Sequence, residues 1–412
     1  MNRPVLRSVC LLACFLWLLV ACGTPSATTA TPAVTFPTNI IVPTQPACVT
    51  IASEPTPGPE AASLFPPITE ADYTRGPADA PITLIDYSDY QDPRSAEYAL
   101  AALQLYNENP TRVHLVSRPF PVFVINDKAA YAALAAEAAA EQGKFWQMHD
   151  LLFAQQPAWI NLSVDDFKQW IVDQLPALEL NVEQFKSDYA REDIITKVQK
   201  AWDDGTRIGL PGTPVVVING EQYQGPRDYS SLNAIAQLII LGERQYTSCP
   251  PMTVDPQKQY IATLKTEKGD IVLELFADKA PVTVNSFLFL ARNGWYDAIT
   301  FHRVIPNVYA QTGDPSGSGK GNPGYYVITE IVPELTFDRP GMVAMVNSGP
   351  DTSGSQFFIT TGPAPTFNGQ YTIFGQVLQG LDVLKALTPR DIQPGVTAAP
   401  GDRLISITIE ER

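Results

Sequence analysis

The sequence predicts a multidomain protein: an α/β unit, then an all-β unit of short strands, both carried behind a leader and a proline-rich tether. Three observations predict it. The 412 residues exceed one typical domain and suit two or three. Between residues 68 and 247, apolar β-rich runs alternate with long helix-patterned runs, and no fixed-period repeat is visible. From about Lys258 the texture changes to short strands broken by glycine-rich turns, the pattern of a closed barrel or a sandwich.

The leader occupies residues 1–22. Arg3 and Arg7 form a basic start, and Val9–Val20 is an apolar run too short to span a bilayer, the shape of a secretory signal. It ends in Leu19-Val20-Ala21-Cys22-Gly23, which resembles the lipobox of bacterial lipoproteins. The resemblance implies that Cys22 is lipidated and becomes the new N-terminus, and that the protein is extracytoplasmic, lipid-anchored to the bacterial cell membrane. Residues 23–67 are Thr, Pro, Ala and Ser with few charges, so they read as a disordered or polyproline-like tether.

The first folded unit, residues 68–247, opens with a strand over Ile82–Tyr90 and a helix from Ser95. A second strand (VHLVSRPFP) follows Pro110, then helix-patterned runs from DKAAYAALAAEAAAEQG to VEQFKSDYAREDIITKVQKAWDDG. GLPGTPVVVING and EQYQG supply closing strands, and SSLNAIAQLIILGER a final helix. Residues 248–257 (SCPPMTVDPQ) read as a linker. In the second unit, residues 258–412, QYIATLKTEKGDIVLELF forms a hairpin at Lys268-Gly269, and VTVNSFLFLARNG forms a helix.

Five cysteines bound the redox chemistry. Cys10 and Cys14 leave with the leader and Cys22 takes lipid, so Cys48 and Cys249 remain. Two thiols in an oxidising exterior predict a disulfide joining the segments that flank the first unit. Closing so long a loop adds about 4–5 kcal/mol on the chain-entropy model. A net charge of −15 argues against nucleic-acid binding, which needs a basic face. Oligomeric state is not legible.

Over residues 75–245 the order of GPADAPITLIDYSDYQ, KFWQMHDLLF and GLPGTPVVVING resembles the thioredoxin-fold, DsbA-like disulfide oxidoreductases. The resemblance implies that Pro214 is the family's cis-proline beside the active site. The family's chemistry needs a thiolate of lowered pKa at a helix N-terminus and a second, resolving thiol. Those positions hold Asp92 and Ser95 within Asp92-Pro93-Arg94-Ser95, a vestigial site that cannot exchange disulfides. Two readings remain open: a spacer whose Asp92 caps the helix, or a peptide-binding module that keeps the groove beside Pro214. His149, in the run FWQMHDLLF, reads as a packed structural histidine.

Over residues 258–411 the blocks FHRVIPNVYAQTGDP and GMVAMVNSGPDTSGSQFFITT, with a later GQYTIFGQV, resemble the cyclophilins, the prolyl cis–trans isomerases. The resemblance implies an eight-stranded antiparallel barrel with a helix at each end, acting on proline-containing polypeptides without metal or cofactor. An X-Pro bond turns over a barrier of about 18–20 kcal/mol, because amide resonance must be broken. A guanidinium aimed at the prolyl nitrogen weakens that resonance. Arg303 matches the catalytic arginine, Gln311 a glutamine that holds substrate and arginine, Phe358 the floor of the proline pocket, and Asn347 a residue whose backbone grips the peptide. His302 reads as a buried structural histidine. Val308 and Tyr309 stand where phenylalanine and methionine are common, Thr366 and Phe367 replace an aromatic–leucine pair, and Tyr371 replaces histidine. The smaller Val308 predicts a loss of about 1–2 kcal/mol of pocket contact, partly refilled by Tyr309, Phe367 and Tyr371. The sequence therefore predicts an isomerase that assists folding of secreted or cell-surface proteins. The alternative is a weak or inactive peptide-binding scaffold built from two peptide-binding folds.

Overall fold

The computed structural model describes residues 47–51, 65–391 and 401–412. The leader, Cys22 and most of the tether lie outside the described residues. The tether reading is corrected at its C-terminal end. β1 (Cys48–Thr50) is an antiparallel strand on a later part of the chain, because Val49, Thr50 and Ile51 are β-branched and Cys48 is disulfide-bonded to Cys249. Further on, the carbonyls of Pro66 and Pro67 each accept from the guanidinium of Arg118 at 2.9 Å.

The first sheet has five strands. They are β2 (Tyr73–Arg75), β3 (Ile82–Ser88), β4 (Val113–Pro119), β5 (Val215–Ile218) and β6 (Glu221–Tyr223), in the order β2-β4-β3-β5-β6. Only β3 and β4 run parallel. β3 is buried on both faces, and its period of two sorts its side chains. Ile82 and Leu84 join one core with α1 (Pro93–Glu108) and α8 (Tyr229–Gly242), whereas Ile85 and Tyr87 join another that includes Trp202. Trp202 belongs to α7 (Glu192–Arg207), so this sheet lies between helices. α2 (Ala129–Ala140), α3 (Phe145–Ala154), the one-turn α4 (Gln156–Trp159), α5 (Val164–Gln174) and α6 (Val182–Tyr189) gather around Trp159 and Phe167 as a helical layer. β3 ends at Ser88 rather than Tyr90. α1 begins at Pro93 rather than Ser95, because Asp92 caps it and proline suits the first helical position.

The stretch expected to be a linker is packed down. Asn285 accepts from the amides of Thr253 and Val254 at 2.8 and 3.2 Å and donates to the carbonyl of Pro251. Asn285 lies on α9 (Pro281–Arg292), which follows the hairpin of β7 (Tyr260–Thr266) and β8 (Gly269–Leu275). The hairpin turns on Glu267 and Lys268, since Thr266 already pairs with Gly269.

The expected eight strands are observed as nine in one sheet. Added to β7 and β8 are β9 (Ile299–Thr300), β10 (Arg303–Ile305), β11 (Tyr309–Thr312), β13 (Met342–Met345), β14 (Phe357–Thr360), β15 (Ile373–Gln379) and β16 (Arg403–Glu411). The order is β10-β11-β14-β13-β15-β8-β7-β16-β9. Its two end members are neighbours in sequence. One stretch, Ile299–Ile305, pairs with β16 at one end and with β11 at the other, and Phe301–His302 interrupts it. Among the described residues the count is therefore nine rather than eight, and the sheet curls into a barrel-like form around Phe287, Phe357, Ile359 and Phe374. The other small strand, β12 (Tyr325–Val327), is the partner of β1, and the short α10 (Leu381–Lys385) follows β15.

Candidate functional site

Cross-strand register assembles the site. Arg303 on β10 pairs with Gln311 on β11, and Gln311 pairs with Phe358 on β14. Residues directly opposite share a face, so the three form one row across the outside of the barrel. Tyr309, two residues before Gln311, is on that face too. Tyr309 packs on Phe358 at 5.5 Å between ring centroids. Phe358 also meets Phe367 at 5.7 Å edge-on, Tyr371 at 5.3 Å edge-on and Phe337 at 5.7 Å. Phe358 is buried, whereas Tyr309, Phe367 and Tyr371 are half-buried and form an aromatic shelf.

Arg303 stands at the rim with its side chain 45% exposed. Its guanidinium lies 5.8 Å from the Tyr309 ring, and its Nε donates to Asp391 Oδ1 at 2.8 Å. Gln311 Nε2 donates to Gln356 Oε1 at 2.9 Å, and Gln356 Nε2 donates to the carbonyls of Gly319 and Gly321 at 3.0 and 2.9 Å. Beside this pair is a polar cavity of about 280 Å³, walled by Gly319–Asn322, Asn347 and Gln356. Asn347 donates from Nδ2 to the carbonyl of Gln370 at 2.9 Å.

The structure therefore brings Arg303, Gln311, Phe358, Tyr309, Phe367 and Tyr371 together, with Asn347 on the adjoining cavity. Val308 is half-buried just before β11 and stands outside the aromatic cluster. Thr366 is exposed. His302 is buried, and burial holds its pKa below the ordinary histidine value, which keeps the ring neutral. Sequence reasoning missed Asp391, which is 88 residues from Arg303 and carries no motif. It also missed Gln356, although this residue immediately precedes the Phe357-Phe358 pair of a recognised block.

At the N-terminus of α1, Asp92 meets the Thr213-Pro214 segment, whose peptide bond is cis. Asp92 Oδ2 accepts from Ser95 Oγ at 3.1 Å and from Thr213 Oγ1 at 2.9 Å, while Oδ1 accepts from the Arg94 amide at 3.2 Å. The carboxylate is buried and tied to helix and loop at once. A cavity beside it is lined by Arg94, Thr213, Pro214, Gln222, Tyr223 and Arg227. His149 is ringed by Tyr90, Phe145, Trp146 and Phe153, and its Nδ1 pairs with Asp150 at 3.0 Å, a packing role. Another cavity, of about 420 Å³, lies under Pro66–Pro67 and α7, and Arg118, Lys197 and Lys200 in its lining are each paired with a carboxylate. Among the described residues, no group of three or more His, Cys, Asp or Glu side chains is placed to hold a metal. No described helix is long and apolar enough to cross a membrane.

The outer face of the barrel-like sheet thus carries an exposed arginine beside a half-buried aromatic cluster. Comparison with known proteins gives the family. The family described as "Cyclophilin type peptidyl-prolyl cis-trans isomerase/CLD" matches residues 261–409, and the family described as "Thioredoxin" matches residues 69–237. Peptidyl-prolyl cis-trans isomerase A of Mycobacterium tuberculosis is 44% identical over 145 residues, covering 32% of this chain and 80% of that protein. Peptidyl-prolyl cis-trans isomerase-like 1 of Mus musculus is 44% identical over 138 residues, covering 33% and 81%. A solved cyclophilin type isomerase of Cryptosporidium parvum is 34% identical, covering 37% of this chain and 98% of that one, with a TM-score of 0.34. The chain belongs to the cyclophilin-type peptidyl-prolyl cis-trans isomerase family. It is an enzyme of that class, with a thioredoxin-like domain ahead of a cyclophilin fold.

Proposed function

We propose that the protein isomerises X-Pro bonds in polypeptides outside the cytoplasm, held to the cell membrane by lipid on Cys22, and so assists folding of secreted or cell-surface proteins. The row Arg303–Gln311–Phe358 carries the reading. The aromatic shelf seats the proline ring, and the guanidinium of Arg303 donates to the prolyl nitrogen as its lone pair localises in the twisted amide. That interaction is weak with the planar amide, whose nitrogen lone pair is delocalised. It therefore lowers the barrier rather than tightening ground-state binding. On this reading Gln311, bonded to Gln356, holds the peptide carbonyl next to the arginine. No covalent step is needed.

The thioredoxin-like domain has no part in thiol exchange on this reading. Residues 68–247 contain no cysteine, and Asp92 and Ser95 occupy the two positions that the chemistry would need. A second reading, in which the domain binds peptides, rests on the open cavity beside Pro214.

The experiment is a proline-limited refolding assay on the full chain, beside Arg303→Ala. Acceleration that is lost in the variant supports the reading, and a wild-type chain that gives none sinks it. The anchor is tested separately, by incorporation of a fatty-acid analogue that disappears in Cys22→Ser.

A further inference from the structure

The end of α8 and the turn after it come from the thioredoxin-like domain, yet they are built into the cyclophilin fold. Leu241 is 3% exposed and belongs to the barrel's own core cluster. A Cβ on Gly321 would lie 2.7 Å from Leu241 Cδ2. Gln245 Nε2 donates to the backbone carbonyl of Asn322 at 3.2 Å and to Asn322 Oδ1 at 3.0 Å. The amide of Tyr246 donates to the carbonyl of Pro323 at 2.8 Å. Gly324, with φ +88°, receives the Tyr246 backbone so closely that a Cβ there would be 2.3 Å from its carbonyl oxygen. Every contact named so far falls on Gly321–Gly324 or on the core behind it.

That segment is not a remote surface. Gly321 and Asn322 wall the polar cavity that Gln356 and Asn347 close from the other side. At the other end of the loop, Asp314 accepts from Ser316 Oγ and from the amides of Ser316 and Gly321. The loop is thus pinned by Asp314 within and by Gln245–Tyr246 from without. Gln245 bonds to Asn322, and across the Gly321–Asn322 peptide link the Gly321 carbonyl accepts from Gln356, which lines the cavity.

We propose that Gln245 and Tyr246 are positioning residues of the isomerase: the thioredoxin-like domain sets the shape of the polar cavity beside Gln311, and with it recognition of a polar or small client residue flanking the X-Pro pair. The proposal rests on the isomerase reading of the Arg303 surface. It differs from simple domain packing because the brace acts on one wall of one subsite, leaving the proline shelf untouched.

The test uses the full chain and two peptide series, one ending at the X-Pro pair and one extended so that flanking residues reach the cavity. Gln245→Ala removes two hydrogen bonds, and is expected to raise KM for extended peptides about threefold to tenfold at unchanged kcat. Short peptides keep both constants. Gln245→Glu sets a carboxylate against two acceptor oxygens and is expected to raise KM further, whereas Gln245→Arg retains donors and is expected to restore it. Equal losses in both series, or no change in the extended series, would overturn the proposal. If Arg303→Ala stays fully active on both series, the reading of the Arg303 surface fails instead, and the comparison within the extended series still decides the role of Gln245.

Discussion

On the proposed mechanism, Arg303 is the group of the shelf that interacts with the transition state more strongly than with the ground state. Its side chain is 45% exposed and contacts the Tyr309 ring at 5.8 Å and Asp391, so replacing it by alanine is expected to cost the folded state no more than about 1 kcal/mol. Both contacts lie within the enzyme, so KM is expected to change little. On that mechanism the guanidinium acts as a preorganised donor of the oxyanion-hole kind. Removing one such group costs about 10²–10³ in kcat, roughly 2.7–4 kcal/mol. The expected outcome is a large fall in kcat at nearly constant KM, with the melting temperature lowered by no more than about a few degrees. Arg303→Lys regains charge but not the planar fork that Asp391 holds by Nε, so it is expected to recover only a small part. Measurement is by proline-limited refolding of a client and by peptide kinetics. A folded Arg303→Ala chain with kcat within about threefold of wild type, less than 1 kcal/mol, would refute the reasoning.

Three further outcomes follow from individual contacts in the structure. Asp391→Ala frees the Arg303 guanidinium, and is expected to lower kcat about threefold to tenfold through lost orientation, with Asp391→Asn milder, both read by the same kinetics. Arg118 spends its donors on Asp72, Tyr87 and the carbonyls of Pro66 and Pro67, so Arg118→Met is expected to cost about 3–5 kcal/mol by leaving Asp72 half-buried and unpaired, measured by denaturant unfolding. Burial works to raise the pKa of Asp72, but Arg118 and the Thr69 amide outweigh it and hold the carboxyl below its ordinary range. A depressed folded pKa gives stability that is complete above the unfolded value near ~3.9 and lost as pH falls through the folded one. That acid limb is expected to vanish in Arg118→Met. Cys48→Ser opens a loop of sequence separation 201, and is expected to lower stability by about 5 kcal/mol on the chain-entropy model, with wild type under reductant falling to match.

What the sequence made legible is what local chemistry encodes. The alternation in ITLIDYS places Ile82 and Leu84 on one face and Ile85 and Tyr87 on the other, and both faces are buried as a covered strand requires. The motif blocks put Arg303, Gln311 and Phe358 on paired strands, and register did the rest. What stayed hidden depends on distant chain. Cys48–Thr50 reads as tether because nothing within its own stretch can bury it, and its partners, the Tyr325–Val327 edge and Cys249, lie far along the chain. Asp391 follows a helix of five residues and reaches Arg303 because Arg390 forms a backbone bridge with Val304. The run SSLNAIAQLIILGER is apolar on more faces than one sheet could cover. Leu232 and Ala236 go to the sheet, whereas Leu241 goes to the barrel, and no periodicity within the helix tells the two destinations apart.

That divided helix bears on why a thioredoxin-like domain without cysteines keeps so tight a site. Asp92 is bonded to Ser95 and Thr213, so helix α1 and the Thr213-Pro214 loop are held together by a buried carboxylate. Breaking a buried, fully bonded polar group is costly, because each orphaned donor bears its own desolvation penalty of about 1–3 kcal/mol. The carboxylate therefore stiffens the layer made by α1 and α8. α8 is the helix whose far end carries Leu241, and the turn after it carries Gln245 and Tyr246. If that end braces the isomerase cavity, substitutions that loosen the Asp92 cluster should be felt by extended peptides before short ones. Asp92→Ala is the direct check. It is expected to raise KM for the extended series in the same direction as Gln245→Ala, though less, because the perturbation reaches the loop only through the length of α8. A spacer domain would instead lose stability with no difference between the two series.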